Sequence, residues 1–229
     1  MKRDREIWAV VPVKEAAAAK QRLAGVLPAR VRQQLVLTML EDVLQALANV
    51  SDLSGIVVVT IDATAADIAA CAGARVWSDG ARDGHTGAVT AAARRLAGVG
   101  AAMLTIPGDV PLVTPDDIRH LLQAHRASPA FTIVPAHDRR GSNAIVCAPP
   151  DVVPLRFGSD SFFPHLAAAR RCGVEPTVVE LPNVALDIDE PVDLLAFMRI
   201  PSRTRTRTLL ERLRPALAEA VTTTGEVVP

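Results

Sequence analysis

Three aspartates give this sequence its most specific chemistry. Asp109 stands in "LTIPGDVPLV", just past the apolar run "AAMLTI" and boxed in by Pro107, Gly108 and Pro111. Asp187 and Asp189 stand two apart in "ALDIDEPVDLL". Residues two apart in extended chain face the same side, so both carboxylates can aim at one point. Asp109 closes a buried strand, and the carboxyl ends of strands are where open α/β sheets keep their ligands. If the two segments are neighbours, three acids converge and raise one another's pKa. A divalent cation removes that conflict, and Mg²⁺ suits it, because it takes oxygen ligands and leaves room for water and phosphate. Each acid also has a purely structural use. Asp189 can N-cap the helix that begins at Glu190–Pro191, and Asp109 can brace its own turn. As a set, Asp109, Asp187 and Asp189 favour the metal.

Cations and small polar residues supply the rest. Lys14, Lys20 and Arg22 follow the first strand in "VPVKEAAAAKQRLAG". In a parallel sheet they share an edge with Asp109, and cations beside metal-binding acids fit a polyphosphate. The plain alternative is a solvated loop. Neither GxxxxGK[ST] nor GxGxxG is present, which excludes a P-loop and a dinucleotide fingerprint. "RFGSDSFFPHLAAA" brings Gly158, Ser159 and Ser161 to a helix start, which is either an anion site or a routine serine cap. "RRGSNAIV" sets Ser142 and Asn143 just before a strand, where they can add donors. His165 lies about one turn into the following helix and can touch a ligand, though a lone histidine is more often structural. In "SDGARDGHTGAV", Gly80, Gly84 and Gly87 allow close backbone approach to a base or sugar beside His85 and Thr86.

These residues need a scaffold, and the patterning provides one. "IWAVVPV", "GIVVVTID", "ARVWS" and "AAMLTI" read as strands. Helical spacing separates them: residues 29–50, "TAADIAACAG", and "TGAVTAAARRLAG". "TPDDIRHLLQAH" is a further helix, with Thr114 as N-cap and Pro115 in its first turn. The order predicts an α/β fold, a mostly parallel sheet with helices on both faces. Past Ala130, "FTIVPA" and "NAIVCAP" read as a hairpin, "SFFPHLAAARRCG" as a helix, "PTVVEL" as a strand and "EPVDLLAFM" as a last helix. This part is a small α+β extension of the same sheet. The expected domain is 1–198. The stretch 199–229 holds six arginines from Arg199 to Arg214 and reads as a basic tail, either a solvated arm or an amphipathic helix packed on the surface or on a second subunit.

Composition narrows the function classes. The 229 residues are 49% hydrophobic, with 25 Lys plus Arg against 25 Asp plus Glu. A net charge of zero gives no electrostatic case for nucleic acid or an anionic membrane. No apolar run approaches the roughly 20 residues that cross a bilayer. Cys71, Cys147 and Cys172 are far apart and read as buried free thiols, so a cytoplasmic setting is expected.

Taken together, "WAVVPVK....AKQRL", "PGDVPLVTPDDI", "GSNAIV", "FGSDSF..H...A" and "LDIDEPVDL" resemble the 2-phospho-L-lactate guanylyltransferase family over about residues 7 to 198. The resemblance implies a Rossmann-like nucleotidyltransferase fold that uses GTP and Mg²⁺ in biosynthesis of a deazaflavin redox coenzyme. A small phosphorylated acid (2-phospholactate, phosphoenolpyruvate or a phosphoglycerate) attacks the α-phosphate of GTP and pyrophosphate leaves. On that reading Asp109, Asp187 and Asp189 hold the metal, with Asp109 and Lys14 as the catalytic pair. Lys14, Lys20, Arg22, Gly84 and Thr86 face the nucleotide. Ser142, Asn143, Gly158, Ser161 and His165 face the acceptor. One loop departs from the family, which usually shows a "GLN.A" type of sequence where this chain has "GHTGAV". Two other readings stay open at this point: nucleotidyl transfer to a molybdopterin-like or sugar phosphate, and a nucleotide-binding paralogue without turnover. A homodimer is compatible with all three.

Overall fold

The computed structural model describes residues 6–158 and 160–213; Ser159 and the tail beyond 213 lie outside the described residues. The elements run β1 (Ile7–Pro12), α1 (Ala29–Ala48), β2 (Gly55–Val59), α2 (Ala63–Cys71), β3 (Arg75–Trp77), α3 (Gly84–Ala97) and β4 (Ala102–Thr105). They continue with α4 (Pro115–Ala124), β5 (Ala130–Pro135), β6 (Ser142–Ala148), α5 (Phe162–Arg171), β7 (Thr177–Val178), α6 (Pro182–Ala185) and α7 (Pro191–Arg199). One sheet has the order β3-β2-β1-β4-β6-β5-β7. β1 lies parallel to β2 and β4, and β2 parallel to β3. β6 runs antiparallel to both β4 and β5.

Alternation along the strands builds two cores. Ala9, Val11, Ile56 and Val58 face α1, α2 and α4, where Leu44, Leu47, Ala65, Ile118 and Leu121 cover them. Val10, Val57 and Val59 face α3 and α5, meeting Val89, Leu96, Leu166 and Ala169. Each buried Leu, Ile or Val contributes about 1.5–3 kcal/mol over its exposed state, which is what holds helices on both faces. α4 starts as its sequence demands: Thr114 and Asp117 form a reciprocal capping box, with proline in the first turn.

The reversed β6 matters most for function. Thr105 pairs with Ile145 and Met103 with Cys147, so the amino end of β6 lies beside the carboxyl end of β4. Ser142 and Asn143 thereby reach the sheet edge that carries Asp109.

Two expectations need correction, the length of one strand and the burial of two cysteines. The strand expected at "PTVVEL" is two residues long, followed by the short helix α6, because Pro182 takes the first-turn position of a new helix. Cys147 is buried in β6, but Cys71 and Cys172 lie at helix ends and are exposed. The tail's start packs on the domain as a helix, one of the two forms expected: residues 205–213 are helical, and Asp42 of α1 accepts from Arg205 N, Thr206 N and Thr206 Oγ1 at 2.8, 2.9 and 2.6 Å. Leu210 joins Leu35, Met39, Leu112, Ile188 and Phe197 in a third small core. Among the described residues no helix is long and apolar enough to cross a membrane.

Candidate active site

The carboxylates meet because one backbone hydrogen bond joins their segments. Ile188 N–H donates to the Asp109 carbonyl at 3.1 Å. Ile188 is fully buried, and its half-exposed neighbours Asp187 and Asp189 point the other way, as the two-residue period requires. Asp189 does not cap the last helix. Glu190 does, and Asp193 Oδ2 accepts from both Asp189 N and Glu190 N at 3.0 and 2.7 Å. The half-exposed Asp189 carboxylate is left out of the helix cap and meets Lys20 instead. Asp109 Oδ1 is buried with no hydrogen-bond partner among the described residues.

A cation sits among these acids, and it is Lys20. Its side chain is 7% exposed, its ammonium is 2.5 Å from Asp109 Oδ2, and it also binds Asp189 Oδ1. Lys20 has φ 53°, in the left-handed region, which is what swings the side chain inward from a short 3-10 turn. Burial by itself lowers an ammonium's pKa, but Asp109 and Asp189 outweigh it and hold Lys20 above its ordinary value. Asp187 titrates in the other direction from a usual carboxylate: burial first, then the Asp109 charge, raises it to about 6, against the Asn143 hydrogen bond. Asn143 Nδ2 lies 3.0 Å from Asp187 Oδ1 and from the Val184 and Ala185 carbonyls, so this buried amide clamps the acid segment rather than presenting donors to the cleft.

These residues fit a divalent ion of the Mg²⁺ type. The orphaned Asp109 oxygen lacks a partner. Behind burial, the Asp109 and Asp189 charges also raise the Asp187 pKa, and Lys20 occupies a point that attracts cations. Among the described residues no three His, Cys, Asp or Glu side chains form a closed metal cage. An ion held by one or two carboxylates and completed by substrate phosphates needs none.

The other candidates divide. Lys14 is exposed and lines a cleft with Pro12, Val13, Ala81, Gly84, His85 and Ala88. Arg22 is an exposed partner of Glu190 at 3.2 Å, on the rim of the acid cluster. Gly84, with φ +74°, stands in open space beside that cleft. Gly80 and Gly87 serve a different purpose: a Cβ on Gly80 would lie 2.4 Å from the Gly87 carbonyl, so these two glycines close the loop on itself. Thr86 Oγ1 accepts from Phe157 N at 2.9 Å, which fastens the glycine loop to the segment before α5. His85 stacks on Phe157 with centroids 4.2 Å apart. Burial, with help from Lys14 and against Asp109, lowers the His85 pKa to about 4.

Ser142, Ser161 and His165 form one buried network. Ser161 Oγ donates to Ser142 Oγ at 3.1 Å, and Ser142 Oγ is 3.0 Å from His165 Nδ1. Ser161 makes no capping bond to α5, which removes the routine-cap explanation for it. His165 is 1% exposed and so lies behind Ser142 rather than in the cleft. Gly158 is exposed, with open space around it.

Sequence reasoning missed two residues that position this edge. Asp62 caps α2 and also accepts from Ala16 N at 2.8 Å, pinning the loop that carries Lys14 and Lys20. Arg32 reaches from α1 to the Leu27 carbonyl at 2.8 Å and holds the same loop from below. Only the N-cap position of Asp62, ahead of "ATAADIAAC", was readable in advance.

Known proteins resemble this chain in sequence and in fold. A model of the "Guanylyl transferase CofC like" family matches residues 7–228, running past residue 198, where the motif resemblance stops. A phosphoenolpyruvate guanylyltransferase of Rubrobacter xylanophilus is 41% identical over 192 residues, 82% of this chain and 91% of the relative. One from Roseiflexus castenholzii is 40% identical over 204 residues, covering 89% and 93%. A crystal structure from Desulfovibrio desulfuricans G20, described as a nucleotide-diphospho-sugar transferase, superposes with a TM-score of 0.73 at 22% identity, over 94% of this chain and 98% of that one. A nucleotidyl transferase from Methanothermobacter gives 0.61 at 19% identity, over 85% and 96%. The structures establish a Rossmann-like nucleotidyltransferase fold, and the extent of the sequence match decides the rest: the chain belongs to the guanylyl transferase CofC-like family of nucleotidyltransferases.

Proposed function

We propose that this protein transfers GMP from GTP to phosphoenolpyruvate, or to a phosphorylated three-carbon acid close to it, with Mg²⁺ as the metal. The observation that carries the reading is the meeting of Asp109, Asp187 and Asp189 at one sheet edge with Ser142 and Ser161 beside them. The relatives' substrate supports the choice of acceptor.

The acceptor's phosphate is already ionised at neutral pH, so no strong general base is required. One of its oxygens bonds to the α-phosphorus of GTP. The bond from that phosphorus to the bridging oxygen breaks, and pyrophosphate leaves with the electron pair. Catalysis then rests on positioning and charge neutralisation. Asp109 and Asp189, with Asp187 behind them, are the residues that would hold Mg²⁺. The ion, when bound, neutralises phosphate charge and orients the triphosphate. Lys14 lies exposed on the cleft wall, suited to a phosphate oxygen. Lys20 can exchange carboxylates for phosphates once a second cation balances the acids. Ser142, Ser161 and the open backbone at Gly158 suit the acceptor's phosphate and carboxylate. Gly84 and the loop fastened by Thr86 form the wall facing the nucleotide.

The test is pyrophosphate release with Mg²⁺, each of GTP, CTP, ATP and UTP, and each of phosphoenolpyruvate, 2-phospholactate and the phosphoglycerates. Release with GTP and phosphoenolpyruvate alone is expected. Silence from folded protein, or a preference for CTP, overturns the reading. Asp109→Asn should lower turnover roughly a thousandfold while leaving the fold intact, since metal-type charge stabilisation is worth several kcal/mol.

A further inference from the structure

The hydrogen atoms of the serine network follow from two contacts, Arg156 N–H on His165 Nε2 and Ser161 O–H on Ser142 Oγ. Arg156 N–H donates to His165 Nε2 at 2.9 Å. That nitrogen therefore carries no proton, and the neutral ring keeps its proton on Nδ1. Nδ1–H then donates to Ser142 Oγ at 3.0 Å. Ser161 O–H donates to the same oxygen at 3.1 Å. A hydroxyl oxygen has two lone pairs, and both are now used. The proton of Ser142 has no acceptor among the described residues. The opposite arrangement, Ser142 donating to Nδ1, would put a proton on Nε2 directly against the Arg156 N–H, two donors face to face in a buried site.

We propose that His165 is a positioning residue that makes Ser142 an obligate hydrogen-bond donor, aimed at an anionic oxygen of the acceptor. The inference rests on the acceptor reading above. Accepting two hydrogen bonds polarises a hydroxyl and strengthens the one it gives. Such a group suits a carboxylate or phosphate and rejects a cation or an N–H. Its place fits, because Ser142 opens β6 next to Asn143, which holds Asp187. The ring stays neutral at pH 7: burial, then His85 nearby, lowers its pKa to about 4. His165 also meets Phe157 edge-on at 5.3 Å, so its plane is fixed by packing as well as by Arg156.

Two measurements test this. Side-chain nitrogen NMR on the histidine-labelled full chain reads the tautomer directly. The expected result is His165 with the proton on Nδ1 and a changed Nδ1 signal on adding phosphoenolpyruvate. Kinetics supply the second test. Ser142→Ala and His165→Leu should each raise the acceptor KM roughly ten- to hundredfold, the range of a hydrogen bond to a charged group, and leave the GTP KM within about twofold. The double variant should be no worse than Ser142→Ala alone, because His165 acts only through Ser142. His165→Asn, which keeps an N–H near the Nδ1 position, should recover most of the loss. An Nε2–H ring, additive losses, or a rise in the GTP KM overturns the proposal. The spectrum of the wild-type chain decides it even where His165→Leu does not fold. Silence of the wild type with every phosphorylated acid overturns the acceptor reading whatever the tautomer. An Nε2–H ring in a protein that does turn over overturns the His165 assignment alone.

Discussion

Replacing Lys20 by Met separates a metal site from an ordinary ion pair without any substrate. The ammonium lies between Asp109 and Asp189, whose side chains are 25% and 46% exposed, while its own is 7% exposed. Removing one partner of a fully buried ion pair costs about 3–5 kcal/mol. Water screens these two carboxylates, and discounting for that brings the expected loss to about 1–3 kcal/mol. Methionine keeps the left-handed backbone strain at position 20 as it is, so the loss reports the charge and not φ. In a chain of this length about 1 kcal/mol moves Tm by roughly 2–4 °C, so the variant should melt roughly 2–12 °C lower in EDTA. Mg²⁺ or Mn²⁺ should then bind the vacated acids. At ten to a hundred times Kd it restores about 1.4–2.7 kcal/mol, most of the loss. The wild type, with Lys20 in place, should gain less from the same metal. Thermal melts of both proteins, with EDTA and with each metal, are the assay. A lower Tm that no divalent cation restores would show that Lys20 and the acids are only a structural pair. An unchanged Tm would show that the contact contributes nothing.

Two further outcomes follow from contacts away from the acids. Asp42→Ala removes three hydrogen bonds to the 205–206 turn and should cost about 2–4 kcal/mol; trypsin should then cut quickly at Arg203, Arg205 and Arg207, and equal cutting rates in both proteins would refute the docking. Stability should climb between pH 4 and about 6.5. His85 and His165 are lowered from 6.5 to about 4, so in that window the unfolded chain binds protons that the folded one refuses; their stabilisation is present above 6.5 and is lost as pH falls. For buried His165 the drop is worth roughly 3 kcal/mol. Asp187, raised to about 6, opposes this, since the folded state keeps its proton longer and loses stability as pH rises from 4 to 6. Two histidines against one acid leave a rising slope, and urea midpoints at pH 4.5, 5.5 and 7 that stay flat or fall would contradict it.

What the sequence revealed and what it hid divide by range. Thr114, two acids and Pro115 specify the start of α4 locally, and they form it. The two-residue spacing of Asp187 and Asp189 set their common direction, because strand geometry lets Ile188 go to the core only if they do not. Local signals could not choose between Asp189 and Glu190 as the cap of α7. The choice falls to Glu190, which forms the reciprocal capping box with Asp193 at N3. Lys20 reads as one more cation in a loop. Its role appears only when partners 89 and 169 residues away are folded against it. His165 is the same case: expected to face the acceptor, it is buried, bound between Arg156 N–H and Ser142 Oγ. In each instance the residue type is legible locally, and long-range packing decides which partners it meets.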